Sequence, residues 1–172
     1  EWEKGKRETT FLSLGIDADV IRLSDRSKHG FWSYVKGSAK TLVQAKGGYD
    51  LKYQVDGRNQ SLPHCVNLTI GKVPYLGFSL RSLLGQVHPH DRLVYGLATV
   101  NTHSSFLNKP VRLWGLVLAA FDIAKSPLLP LRGKLITVHS AEPFPLQAGG
   151  EFLGFTKWIK VRVKRRQKVL MI

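Results

Sequence analysis

Ile159-Lys160-Val161-Arg162-Val163-Lys164 alternates without a fault, branched aliphatics to one side and basic side chains to the other. That is the two-residue period of a half-buried β-strand. Outward from it, Lys134–His139 (KLITVH), Arg92–Val100 (RLVYGLATV) and His64–Ile70 (HCVNLTI) are runs of similar length rich in branched residues. Leu51-Lys52-Tyr53-Gln54-Val55 alternates into the turn signal Asp56-Gly57, and Thr10–Leu14 (TFLSL) is a short apolar run ended by Gly15. At least six strands are expected from these six stretches.

Two segments carry a different period. Phe31, Tyr34, Val35, Ala39 and Leu42 fall at helical spacing, with Gly47-Gly48 as a stop. Pro110 opens a second such run, in which Leu113, Trp114, Val117, Leu118 and Phe121 line one face and Pro127 closes it. The order strand, helix, several strands, helix, several strands lacks the regular alternation of a doubly wound sheet. The expectation is an α+β or mainly β fold: an antiparallel β-sandwich-like single domain over residues 1–172, with two helical insertions.

A chain of 172 residues can bury a core without disulfides or metal, and Cys65, its only cysteine, has no internal partner. A disulfide-stapled secreted scaffold is excluded, and a lone thiol suits a reducing, cytoplasmic setting. The longest apolar run, the nine residues Leu113–Phe121, is about half of the ~20 needed to span a bilayer. The opening EWEKGKRE is too polar for a signal peptide. Position 1 is Glu and the only Met is Met171, so a segment upstream of Glu1 is expected.

Several chemistries lack their motifs. Gly47-Gly48-Tyr49 and Gly149-Gly150-Glu151 have neither the P-loop nor the dinucleotide context that lets backbone amides cradle phosphate. There is no G-x-S-x-G elbow, and Cys65 lies in an apolar strand, where a thiol is ordinarily buried and inert. His88-Pro89-His90-Asp91 reads as a solvated turn, not a metal site, so no metal is assigned to this chain. Asn67-Leu68-Thr69 matches a glycosylation sequon but sits in a strand. Asp17 and Asp19, directly after the first strand, leave two readings open. They are turn formers or a helix cap, or, on an extended backbone, a carboxylate pair on one face able to accept hydrogen bonds from a hydroxyl or amine.

Four motifs follow in order: Leu12–Val20 (LSLGIDADV), Gly30–Leu42 (GFWSYVKGSAKTL), Tyr49–Val55 (YDLKYQV) and Pro145–Gly154 (PLQAGGEFLG). Together they resemble the C-terminal, lipid-binding domain of the diacylglycerol kinase and sphingosine kinase superfamily. That resemblance implies a β-sandwich with an apolar lipid pocket, joined to an N-terminal ATP-binding domain that this chain does not contain. ATP and magnesium would enter only with that domain. The resemblance places Asp19 where sphingosine kinases set a carboxylate on the lipid head group, Asp17 on the Asp of the bacterial G-F-D-A form, and Glu151, the catalytic candidate of this chain, on the Glu of a D-G-E hairpin. Carboxylates near a lipid hydroxyl suit phosphoryl transfer, which needs its nucleophile positioned. Phe31, Tyr34, Leu42, Leu113, Val117 and Phe121 are the pocket candidates, each equally readable as ordinary core.

The sequence departs from the pattern at Gly149, where the family has an Asp that in bacterial members is implicated in catalysis, and at Gly71-Lys72, where many members have Gly-Asn. The function expected is the lipid-binding portion of an ATP-dependent lipid kinase acting on a diacylglycerol or sphingoid base, inactive alone and peripheral at membranes. The alternative is a non-catalytic lipid or membrane module. The formal charge is +14, and seven of the 26 basic residues fall in the last sixteen positions: Lys157, Lys160, Arg162, Lys164, Arg165, Arg166 and Lys168. This stretch reads as a solvated face that discourages edge pairing, or as a contact for an anionic membrane with Phe155 and Trp158 at the interface. It is also compatible with nucleic acid, although no recognised nucleic-acid module is present.

Overall fold

The computed structural model describes residues 1–23, 48–72, 87–88, 91–100 and 129–164. Both expected helices, with the pocket candidates Phe31, Tyr34, Leu42, Leu113, Val117 and Phe121, lie outside the described residues, as do Arg165, Arg166 and Lys168. The described elements are β1 (Phe11–Gly15), α1 (Ile16–Leu23), β2 (Tyr49–Val55), β3 (Arg58–Gly71), β4 (Val94–Val100), β5 (Leu129–Gly133), β6 (Leu135–Ala148) and β7 (Glu151–Arg162). The fold is mainly β, and every strand pairing among the described residues is antiparallel.

The two longest strands organise the sheet. β3 pairs Arg58–Cys65 with β2 and Asn67–Gly71 with β1. β6 likewise pairs Ile136–Ser140 with β2 and Leu146–Ala148 with β1. β1 and β2 therefore lie end to end in one lane between β3 and β6. The chain leaves that lane at Gly15 and re-enters it at Tyr49. Gly15 has φ +87°, and a Cβ there would stand 2.2 Å from the Val66 carbonyl oxygen, so only glycine fits where the strand breaks away. The register of β3 shifts between Cys65 and Asn67, and that of β6 between His139 and Phe144, both at the level of the lane's junction. Bulges of this kind bend long strands.

Outside the shared lane the sheet continues through β4 to β5 on one side and to β7 on the other. β5 and β6 are joined by Lys134 alone, yet β4, β3 and β2 lie between them in the sheet. Four strand spacings are roughly 19 Å if flat, whereas two chain steps reach about 7 Å. The sheet must therefore curl on itself at this corner, which makes it barrel-like. Asp56 fastens the corner: its carboxylate accepts from the amides of Lys134 (2.9 Å) and Leu135 (2.9 Å), and its own amide donates to Leu135 O (3.1 Å). Those two amides hold the Asp56 carboxyl below the usual range.

All seven strands contribute to one core cluster that includes Leu14, Leu51, Leu68, Ala98, Leu131, Val138, Phe144 and Ile159. The alternating stretch from Ile159 behaves as expected, with Ile159 buried, Val161 and Val163 packed against the core, and Lys160, Arg162 and Lys164 exposed. Residues 1–5 lie along the outer edge of β7 through a Trp2–Ile159 bridge and reciprocal backbone bonds between Glu1 and Lys160 (3.0 and 2.9 Å). That edge is thus partly capped by the chain's own backbone.

Three features differ from the sequence reading. β3 begins at Arg58 because its polar first residues pair with β2 beyond the turn. β5 is an additional strand that the sequence reading did not mark; among the described residues it pairs with β4 only, and such an edge position tolerates Pro130. The segment after Gly15 is helical, so of the two readings left open there the helix start holds and the extended backbone does not. No helix among the described residues is long and apolar enough to cross a membrane.

Candidate functional site

α1 starts where β1 ends, anchored by the fully buried Ala18 and Val20. Asp17 sits in its first turn and is clasped by Asn67 of β3. The Asp17 amide donates to Asn67 Oδ1 (3.0 Å), while Asn67 Nδ2 donates to Asp17 Oδ2 (3.0 Å). Thr69 Oγ1 donates to the same carboxylate oxygen at 3.0 Å. The pairing of β1 with β3, Gly15 opposite Asn67 and Ser13 opposite Thr69, brings these donors to the start of the helix. Asn67 thereby satisfies one of the amides that a helix start leaves without an intrahelical partner.

Asp19 has a different environment. Two residues apart on a helix means about 200° of rotation, so the two carboxylates do not share a face, and the extended-backbone pair is corrected by the helical geometry. Asp19 Oδ1 accepts from Arg22 Nε at 2.9 Å, an i,i+3 pair with Arg22 41% and Asp19 24% exposed. The Arg22 guanidinium lies 5.9 Å from the centroid of the Phe155 ring, and Phe152 meets that ring edge-on at 5.7 Å. Burial, then the nearby Asp19 charge, pushes the Tyr49 phenol above its ordinary pKa, which leaves it a neutral hydroxyl at pH 7. Asp17 is therefore locked by donors on the sheet, whereas Asp19 is held by one solvent-facing ion pair of modest worth, roughly 0.2–0.5 kcal/mol.

A buried polar row leads from this helix start toward the β6–β7 hairpin. Ser13 pairs in register with Thr69 on one side and Gln147 on the other. Gln147 Nε2 donates to Ser13 Oγ (2.5 Å), and Gln147 Oε1 accepts from the Gly150 amide (3.1 Å). Gly149 and Gly150 have φ +61° and +83°, the two positive values of a type I′ hairpin turn. Glu151 follows, exposed, with Arg7 donating to Oε2 at 2.6 Å. The hairpin expected around Gly149-Gly150-Glu151 is present, but Gly149 places no functional group there.

The basic stretch is partly answered by acidic residues from the start of the chain: Arg162 lies 4.0 Å from Glu1, and Lys164 pairs with Glu8. Lys157 and Lys160 are exposed, and Phe155 is 45% exposed while Trp158 is half-buried. Asp91 is bonded by Lys72 Nζ (2.9 Å), the Leu93 amide (3.0 Å) and the Tyr95 hydroxyl. Burial raises its carboxyl pKa, but those bonds outweigh burial and hold it far below the usual range. Among the described residues no three His, Cys, Asp or Glu side chains converge as a metal site. Cys65 is fully buried, and burial pushes its thiol up to about 12, a value that suits an inert core residue.

Sequence reasoning missed Asn67, Thr69 and Arg22. The alternation Asn67-Leu68-Thr69, with polar residues on the face opposite the core, was the available signal for the first two.

No protein-family model and no curated protein matches the chain. Its fold is similar to crystal structures of diacylglycerol kinases from Bacillus anthracis, two of the three provisionally assigned. The TM-scores are 0.60, 0.54 and 0.52, at 14%, 14% and 13% identity, over 90% of this chain each time. The chain spans about half the length of each, 50%, 50% and 45%. The likeness establishes a diacylglycerol kinase-like fold.

Proposed function

We propose that this chain is the lipid-binding portion of an ATP-dependent lipid kinase of the diacylglycerol or sphingoid-base type. On this reading it works joined to an ATP-binding domain and does not phosphorylate lipid alone. The observation that carries it is the fold likeness, which covers 90% of this chain but only about half of each diacylglycerol kinase structure. The site supports it: Asp19 sits on a helix held rigidly at its start, beside a neutral Tyr49 hydroxyl and the exposed Phe155 ring. A lipid head group would donate its hydroxyl hydrogen to Asp19, while Asp17 keeps the helix in place. Glu151 would act at the hairpin, and ATP with magnesium would be supplied by the other domain.

Gly149 favours a second reading, a non-catalytic lipid or membrane module, because a glycine offers neither a base nor a metal ligand. In both readings the exposed Phe155, Lys157 and Lys160 meet an anionic membrane surface. The first test is flotation with phosphatidylcholine vesicles carrying phosphatidylserine, with and without diacylglycerol. Diacylglycerol should increase binding by the native chain and not by Asp19→Ala. Equal flotation of both chains would overturn the head-group assignment. Saturable oligonucleotide binding without flotation would move the chain to the nucleic-acid class. Robust lipid phosphorylation by the chain alone with ATP and Mg²⁺ would overturn its dependence on a second domain.

A further inference from the structure

The Asp19 site contains a cation of its own. Arg22 is fixed from two directions, by its bond to Asp19 (2.9 Å) and by the Phe155 ring beneath its guanidinium, itself braced by Phe152. The helix cannot readily turn the pair apart, because Ala18 and Val20 are buried and the Asn67 clasp holds the preceding turn. The two head-group classes left open by the proposed function differ in charge: a diacylglycerol presents a neutral hydroxyl, a sphingoid base an ammonium.

Resting on that proposed function, we infer that Arg22 is a specificity-determining residue that makes the Asp19 site accept a neutral hydroxyl and reject an ammonium. A carboxylate has about four acceptor positions, so Asp19 can keep Arg22 and still take a hydroxyl hydrogen. An ammonium approaching the same carboxylate finds its charge already neutralised and meets the guanidinium as a like charge. Expelling Arg22 would forfeit both the ion pair and the aromatic contact. Two further charges bear on this surface. Glu142, exposed on β6, acts on Tyr49 along with Asp19 and Arg22, and Lys157, two residues along β7 from Phe155, is exposed like it.

The test compares flotation with phosphatidylcholine vesicles of fixed phosphatidylserine content carrying either diacylglycerol or sphingosine at equal mole fraction. The native chain should bind the diacylglycerol vesicles more tightly. Arg22→Gln should shift the sphingosine-to-diacylglycerol affinity ratio by about tenfold toward sphingosine, the scale of one unit charge at a partly exposed site. Arg58→Gln removes the same charge at the β2–β3 turn, at the far end of β2 from Tyr49, and should leave the ratio unchanged, with circular dichroism confirming that each variant folds. A native preference for sphingosine, or a ratio that Arg22→Gln does not move, overturns the role of Arg22 while leaving lipid binding intact. A native chain indifferent to both lipids overturns the lipid reading together with this inference.

Discussion

Two hairpin turns in this molecule share a backbone and differ in one side chain. Asp56-Gly57 joins β2 to β3 with φ values of +50° and +88°, and Gly149-Gly150 joins β6 to β7 with +61° and +83°. The first position of such a turn admits Asp, whose short polar side chain tolerates the left-handed region. At Asp56 the carboxylate is spent on structure, holding two amides at the corner where the sheet curls. At Gly149, which the resemblance sets against the family's Asp, the same position is bare. The backbone therefore does not demand glycine at residue 149, and on the proposed function the lack of a carboxylate there bears on chemistry, not on folding.

Gly15 supplies the contrast that would break this argument if it failed. Its φ of +87° resembles those of the turns, but the space differs: a Cβ would stand 2.2 Å from Val66 O, against 3.3 Å from a side-chain hydroxyl at Gly149. Gly15→Ala should cost roughly 3 kcal/mol, from forbidden backbone and a clash with main chain. Chemical denaturation measures it, and a loss under 1 kcal/mol would mean, on the scale of ordinary surface changes, that space does not separate the two glycines.

Asp56→Ala comes next in size. The native carboxyl pKa is depressed, so its stabilisation is complete above the unfolded value near 4 and fades as pH falls through the lower native value. The variant should melt below the native chain at pH 7, and the two melting points should converge under acid. A gap that persists undiminished at the lowest pH at which the fold survives would assign the effect to backbone propensity instead of the carboxylate.

Strands were legible wherever one face was core and the other water, as from Ile159 to Lys164. They were hidden where that contrast lapsed, at the polar start of β3 and at Pro130 of β5. α1 was illegible because eight residues give a helical period little room, and Gly15 reads equally as the end of a strand or the start of a turn. This uncertainty decided the site. Asp17 and Asp19 could be picked out, but whether they share a face depends on backbone geometry that spacing alone does not give. Asn67 and Thr69 lie fifty and fifty-two residues from Asp17 and reach it only through the β1–β3 register.

Gly149→Asp tests the comparison most closely and should disturb the fold least. The turn's φ of +61° is one that Asp adopts more readily than most residues, and the nearest neighbour of the new Cβ is Thr9 Oγ1 at 3.3 Å, which donates to Phe11 O at 2.7 Å and would have to give by a few tenths of an ångström. Stability should stay within about 0.5 kcal/mol of the native chain, since replacing glycine also stiffens the unfolded state. The new carboxylate would stand at the hairpin that carries Glu151, four residues after the Ser13-bonded Gln147. In a polypeptide that joins this chain to an ATP-binding domain of the kind proposed, lipid phosphorylation should rise if residue 149 is where a carboxylate is wanted. A variant that folds normally and binds diacylglycerol vesicles as before, yet leaves turnover unchanged, would separate binding from chemistry. It would show that the bare turn does not limit the reaction.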